Sequence, residues 1–333
     1  MNKFLIMALA ASASIATAGC STKTTSNADT TAETTGSIAA KDTAIVYFIK
    51  DITPENLQRA YEALGRKAEG KVAVKLSTGE PGNDYHLDPK LIAPLVQQLN
   101  GTIVENNTAY NGGRDQTADH LKAAADHGFT EIAPVVILDA DGQDTLIVSG
   151  GKHLKENYVG REWKNYDFTV VLSHFKGHPM AGFGGAMKNI SIGMASSMGK
   201  CWIHSAGRYT DKAQTWSNVP ADTIFQESMA EASKSVIDAA GDKILYINVA
   251  NNLSVDCDCV ATPAAPEMAD LGIFASLDPV AVDQACLDAV LQSPDQGKAH
   301  LIERIESRKA PHNLEYAEQI GAGTRAYKLV VLE

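Results

Sequence analysis

Short apolar, β-branched runs alternate along this chain with stretches whose apolar residues recur every three or four positions. The runs at 45–49, 71–76, 102–105, 135–138, 145–148, 168–173, 244–249 and 327–332 predict strands. Residues 168–173 and 244–249 are apolar almost throughout, as a strand covered on both faces requires. Residues 54–64, 91–99, 117–125 and 221–240 carry helical periods, and Gly128 and Gly241 mark the ends of the last two. Asp278-Pro279 starts a further helix: Asp accepts from the free amides of a first turn, and Pro lacks the N–H that would go unpaired there. Strands alternating with helices predict an α/β fold, a largely parallel sheet with flanking helices, in two lobes with a crevice between them. No internal repeat is seen.

The N-terminus does not belong to that pattern. Lys3 precedes a short apolar run, Phe4 to Ala18, below the roughly 20 residues of a membrane-spanning helix. Thr17-Ala18-Gly19-Cys20 places small residues before a cysteine, the layout of a secretory signal whose cut exposes Cys20. This segment resembles a bacterial lipobox, although Thr17 stands where Leu is usual, and Ser21 resembles the outer-membrane sorting pattern. Residues 1–19 are therefore expected to be a removed signal, with Cys20 the lipid-bearing anchor to the bilayer on the periplasmic side of the outer membrane. Residues 20–42, rich in Ser, Thr and Ala, read as a flexible tether that cannot bury enough apolar surface to offset its ordering. Residues 43–333 are left for the α/β domain.

The chain carries 40 acidic against 29 basic residues, a net charge of −11, which argues against nucleic acid or an anionic lipid surface as partner. Apart from Cys20 the cysteines are Cys201, Cys257, Cys259 and Cys286. Bridging Cys257 to Cys259 across one residue departs from ordinary disulfide geometry. The alternatives are a disulfide with Cys201, joint binding of a metal, or free thiols. Cys286 lies among apolar residues of the helix after Pro279 and reads as core.

Chemistry-bearing residues concentrate at 174–204, directly after the buried run 168–173, where α/β sheets place their ligands. Gly182, Gly184 and Gly185 allow close backbone approach, and their amides could hold an anion. The pattern is neither of the usual nucleotide-binding glycine motifs. His174, His178 and His204 bracket this loop, and imidazole serves proton transfer and metal ligation alike. The plainer reading is loop histidines making ordinary hydrogen bonds, with Lys188 a surface lysine. Asp256-Cys257-Asp258-Cys259 follows the run 244–249 and offers two thiols and two carboxylates to a metal. Lys75 to Glu80, with Asn106, Tyr110 and Arg114, supplies polar groups to the same crevice, or else forms a solvated loop.

The blocks KLSTGEPGN, NNTAYNGGRDQTADHLKAAADHGF, FKGHPMAGFGGAMKNISIGMASSMGK, DCDC and ASLDPVAVDQACLD resemble, in the same order, the "domain of unknown function 362" family over about 43–333. Family members often carry an inserted cysteine-rich ferredoxin module and are described as iron–sulfur proteins. Residues 207–222, where that module would lie, contain no cysteine, so ferredoxin-type clusters are not expected. HPMAGFGGAMKN also resembles the glycine-rich loop of the nickel-pincer lactate racemases. That resemblance implies His178 as acid/base, Lys188 as cofactor anchor and His204 as metal ligand. The second catalytic histidine of those enzymes has no counterpart in Asn111-Gly112-Gly113-Arg114, so Tyr110 or His174 would have to replace it.

These readings combine into an envelope-anchored protein with a transition metal (Fe, Ni or Zn), acting as an enzyme on a small anionic substrate. His174, His178 and Lys188 would be catalytic. Gly182, Gly184, Gly185, Lys188, Lys75, Glu80 and Arg114 would bind cofactor or ligand, and His204, Cys257, Cys259 and Cys201 would bind metal. A redox accessory protein with an electron-transfer partner and a non-catalytic ligand-binding lipoprotein are the alternatives.

Overall fold

A computed structural model describes residues 43–333. The expected signal, Cys20 and the tether lie outside the described residues. The strands are β1 (Ala44–Ile49), β2 (Val72–Lys75), β3 (Thr102–Glu105), β4 (Val135–Ile137), β5 (Gln143–Ile147), β6 (Glu156–Gly160), β7 (Phe168–His174), β8 (Lys176–His178), β9 (Gly182–Gly184), β10 (Ile244–Ala250), β11 (Gly272–Ser276) and β12 (Tyr327–Val331).

Eight of them form one sheet in the order β12-β1-β11-β10-β7-β2-β3-β4. All neighbours are parallel except β11, which runs antiparallel to both β1 and β10. The mixed α/β class with a mostly parallel sheet is as expected. The described residues fall in one compact unit. The crevice expected between two lobes opens instead at one end of this single sheet.

Pleating explains how the strands serve two cores. Val170 and Leu172 of β7 and Val72 and Val74 of β2 face a cluster with Leu57, Tyr61, Leu95 and Val96 from the helices Pro54–Ala63 and Pro89–Gln98. Val171 and Ala73 face the opposite cluster, with Ala186, Met187, Ala230 and Val280 from the helices Ala186–Ser191, Asp222–Ala240 and Pro279–Gln292. Each fully buried aliphatic side chain of this kind contributes about 1.5–3 kcal/mol. Lys75 continues the second alternation one step past the apolar stretch and so emerges at the carboxyl end of β2, on the side of helix Ala186–Ser191.

The expected cap is present: Asp278 accepts from the amides of Val280 and Ala281, each at 2.9 Å. β6, β8, β9 and β11 were not expected from the pattern, being short and, in β8 and β9, glycine-rich. β5 and β6 form a separate hairpin, as do β8 and β9. Among the described residues no helix is long and apolar enough to cross a membrane.

Candidate functional site

The carboxyl ends of β2, β3 and β7 and the cysteine loop that follows β10 converge on a cavity of about 300 Å³. Lys75, His174, His178, Gly184, Gly185, Lys188, His204, Arg114, Cys257 and Cys259 all line it, so most residues expected from the sequence meet in one place. Three do not line it. Glu80 stands behind Arg114, Gly182 packs with Ala310, and Cys201 is buried elsewhere.

One wall is a closed network of opposite charges. Lys75 donates to Glu105 Oε2 at 3.0 Å, to the Leu76 carbonyl at 2.7 Å and to Asn189 Oδ1 at 3.0 Å. Arg114 reaches Glu105 Oε1 at 3.1 Å and Glu80 Oε1 at 3.2 Å. Glu80 also accepts from Tyr110 Oη at 3.0 Å and from the Gly113 amide at 2.8 Å, which holds the guanidinium in place. Burial alone would raise the Glu105 carboxyl, but Lys75, His120 and Arg114 outweigh it and hold its pKa well below the usual carboxylate range.

A second ion pair lies beside it. Lys176 is paired with Asp258, and His174 Nδ1 lies 3.3 Å from the same carboxylate oxygen. His174 Nε2 lies 2.7 Å from the Asn251 carbonyl. Both ring nitrogens therefore face acceptors. His174, expected to be catalytic, thus lines the cavity beside Asp258. Against burial, Lys176 and His174 hold the Asp258 carboxyl far below its ordinary value.

The opposite wall lacks carboxylates. The helix Ser197–His204, capped by Ser196 accepting from the Gly199 amide, carries Lys200 and His204 one turn apart. Among the described residues Lys200 Nζ donates only to the Ala195 carbonyl, at 2.6 Å, and burial, against the pull of Asp139, lowers its pKa to about 7. Lys188 Nζ has no hydrogen bond or ion pair among the described residues. Its burial, against the distant pull of Asp258, lowers its pKa to about 8.

The two remaining histidines are fixed in opposite senses. His204 Nδ1 meets the Lys200 carbonyl at 2.7 Å and must donate to it, which leaves the Nε2 lone pair open. The ring is held by stacking on Phe225 and by the edge of Trp216. Burial, with Lys188 and Lys200 nearby, lowers its pKa to about 4 despite that carbonyl. His178 Nδ1 instead accepts from the amides of Met180 and Ala181, at 3.1 and 2.9 Å. Its proton therefore sits on Nε2. Burial first, then Lys188, holds the ring well below the ordinary histidine range.

The glycines act through close approach. A Cβ on Gly185 would stand 2.4 Å from Asp283 Oδ1. That closeness lets Asp283 accept from the amides of Ala186 and Met187 at 2.7 and 2.9 Å. The anion at this helix start is thus the protein's own carboxylate, and these two amides are not open to a ligand. A Cβ on Gly177 would lie 2.3 Å from the Val255 carbonyl, so glycine there allows the cysteine loop to pack against β8.

In that loop Cys257 and Cys259 are bonded to each other. The alternatives expected for these two cysteines, a bridge to Cys201, joint metal binding or free thiols, thus give way to a bridge between them, with Cα atoms 5.2 Å apart. Cys201, expected as partner or metal ligand, is a free buried thiol in the helix Ser197–His204, raised in pKa by burial and hydrogen-bonded to Thr215. His178, Cys257 and Cys259 do bring three potential metal-ligand atoms within 4.8 Å of one another. With the sulfurs joined this is not a thiolate site. His178 also departs from the usual second-shell arrangement, in which a metal-bound histidine donates its other N–H; His204 has that arrangement. Cys286 is buried, as expected.

Lys200, Lys176 and Glu105 were not among the expected site residues, and Asp258, expected to offer its carboxylate to a metal, is paired with Lys176. Glu105 had a signal, a carboxylate closing an apolar strand. Lys200 had none, since one lysine in an apolar helix reads as a surface position.

The family model "Domain of unknown function (DUF362)" matches residues 72–288, and the chain belongs to that family. No curated protein matches the sequence. Among solved structures the chain is similar to the lactate racemase apoprotein from Thermoanaerobacterium thermosaccharolyticum, at 15% identity and a TM-score of 0.42, covering 74% of this chain and 56% of that one. It is also similar to a structural-genomics protein from Thermotoga maritima, at 14% identity and a TM-score of 0.38, covering 80% of this chain and 58% of that one. The chain thus spans less than two thirds of either protein.

Proposed function

We propose that this member of the domain of unknown function 362 family binds a small anionic ligand in the strand-end cavity and acts on it as an enzyme. The observation that carries this reading is the charge of the cavity. In a chain of net charge −11, five basic side chains (Lys75, Arg114, Lys176, Lys188 and Lys200) line it against two carboxylates, Glu105 and Asp258. Glu105 and Asp258 are consumed by Lys75, Arg114 and Lys176. Among the described residues neither Lys188 nor Lys200 has a carboxylate within ion-pair distance, Asp139 acting on Lys200 only from further off, and a carboxylate or phosphate ligand would supply one.

The histidines then take separate parts. His178 offers an N–H to an oxygen of the ligand. His204 offers a lone pair that can accept a proton or ligate a metal. Lys188 and His204 together fit a transition-metal cofactor: an amine without a partner for attachment, and an imidazole whose other nitrogen is already donated. Such a group would supply an electron-accepting centre, while Arg114, Lys200 and His178 would orient the anion. The N-terminal segment extends the proposal to an envelope protein tethered through a lipid on Cys20.

The test is calorimetric titration of the purified protein with phosphate and with small mono- and dicarboxylates, alongside elemental analysis. Saturable binding of one anion, weakened at least about tenfold by Lys188→Gln, supports the reading; a tenfold loss is about 1.4 kcal/mol. Anion binding that Lys188→Gln leaves unchanged contradicts it. Retention of the protein in the membrane fraction, lost on Cys20→Ser, tests the tether.

A further inference from the structure

We infer that the Cys257–Cys259 disulfide is a reactive thiol–disulfide centre for small anionic thiols that enter through the cavity. Three observations lead there. The first is that the bridge is superfluous as a staple. It closes a loop of three residues, and the constraint a disulfide places on the unfolded chain grows with loop length. The loop is also anchored independently. The Glu80 amide donates to the Asp258 carbonyl at 2.8 Å, Asn83 Nδ2 to the Val260 carbonyl at 2.8 Å, and Arg304 Nη1 to the Val255 carbonyl at 2.7 Å.

The second is access. Both cysteines line the cavity, and Cys259 is the less buried of the two, whereas the free thiols of Cys201 and Cys286 are buried outside it. The third is that donors already face the two sulfurs. The Cys259 amide donates to Cys257 Sγ at 3.2 Å. The Nε2–H of His178 faces Cys259 Sγ at 3.7 Å. Each sulfur therefore has an N–H beside it that would stabilise negative charge formed there.

The reaction follows from those positions. A thiolate attacks Cys259 Sγ; the S–S bond breaks, and Cys257 leaves as a thiolate beside the Cys259 amide. A second thiolate attacks the external sulfur of the mixed disulfide, and Cys259 leaves as a thiolate beside His178. Two thiols are oxidised to one disulfide, the protein gains two electrons, and the two protons of the thiols go to the two cysteines. The preference for an anionic thiol rests on the anion-binding reading above, through Lys188 and Lys200 in the same cavity.

The test uses the full-length folded protein. It is exposed to mercaptoacetate or to 2-mercaptoethanol at equal thiolate concentration, and the cysteines are then alkylated and located by mass spectrometry. The expected result is native alkylation of Cys257 and Cys259, with Cys201 and Cys286 unmodified, and about tenfold faster reduction by mercaptoacetate at low salt. Reduction only after unfolding overturns the proposal, and equal rates with the two thiols overturn its substrate class. Phosphate titration, which needs no thiol, reports separately on the anion-binding reading.

Discussion

The two walls of the cavity hold similar numbers of cations and treat them differently. On one wall Lys75, Arg114 and Lys176 are locked against Glu105, Glu80 and Asp258, each carboxylate touched by at least two donors. On the other, Lys188 and Lys200 are buried with no carboxylate at ion-pair distance among the described residues, and His178 and His204 stay neutral beside them. The first wall is balanced within the protein and serves to fix geometry. The second is incomplete by itself, and an incoming anion would complete it. Charge alone thus does not mark the ligand face; unpaired charge does.

The largest expected effect tests the paired wall. Glu105→Ala removes the acceptor shared by Lys75 and Arg114 and leaves two buried cations short of a partner. It should cost about 3–5 kcal/mol in urea-denaturation stability. A loss under about 1 kcal/mol would show that this wall is not the closed network described. Lys188→Gln should do the reverse: anion affinity falls at least about tenfold while the denaturation midpoint stays or rises, because a buried cation without a partner is lost. An unchanged affinity would merge the two walls into one class.

Acid should separate them further. The pKa of His204 falls to about 4 in the folded protein, and that of His178 is also depressed. Both histidines bind protons more readily when unfolded. Their contribution to stability is present above about pH 6.5 and is lost as pH falls toward 4. Double replacement by Gln should remove that slope between pH 6.5 and 4, measured as the melting temperature across the range.

The smallest effect is at Lys200. Its folded pKa of about 7 lies below the unfolded value of about 10.4, so its charge opposes folding below pH 7, and this penalty is relieved as pH rises from about 7 to 10. Lys200→Met should raise the melting temperature at pH 7 by a few degrees and flatten that rise. An unaltered pH profile would show that Lys200 is solvated.

How much of this was legible beforehand depended on range. The strands ending in Lys75 and His174 were readable because apolar runs stop at polar residues, and the crevice followed from where parallel strands end. The convergence of His178, Lys188 and His204 was readable from their order around the glycine loop. What escaped was set by contacts distant in sequence. The Asp283 carboxylate that occupies the amides of Ala186 and Met187 comes from a helix almost a hundred positions away. The choice of Cys259 over Cys201 as partner of Cys257 depended on Cys201 being buried off the cavity, although its helix neighbours Lys200 and His204 line it. The roles of His174 and His178 depended on which backbone groups meet each ring nitrogen, which no spacing records.

The central claim, that Lys188 and Lys200 await an anion, predicts a proton balance. Calorimetric titration of phosphate at pH 8, in buffers of different ionisation enthalpy, reads it directly. Lysines with pKa values of about 8 and 7 are partly or largely neutral there and regain charge when an anion arrives. Net proton uptake on binding, diminished by Lys188→Gln, is the predicted result. Binding with no proton uptake, or with proton release, would contradict it.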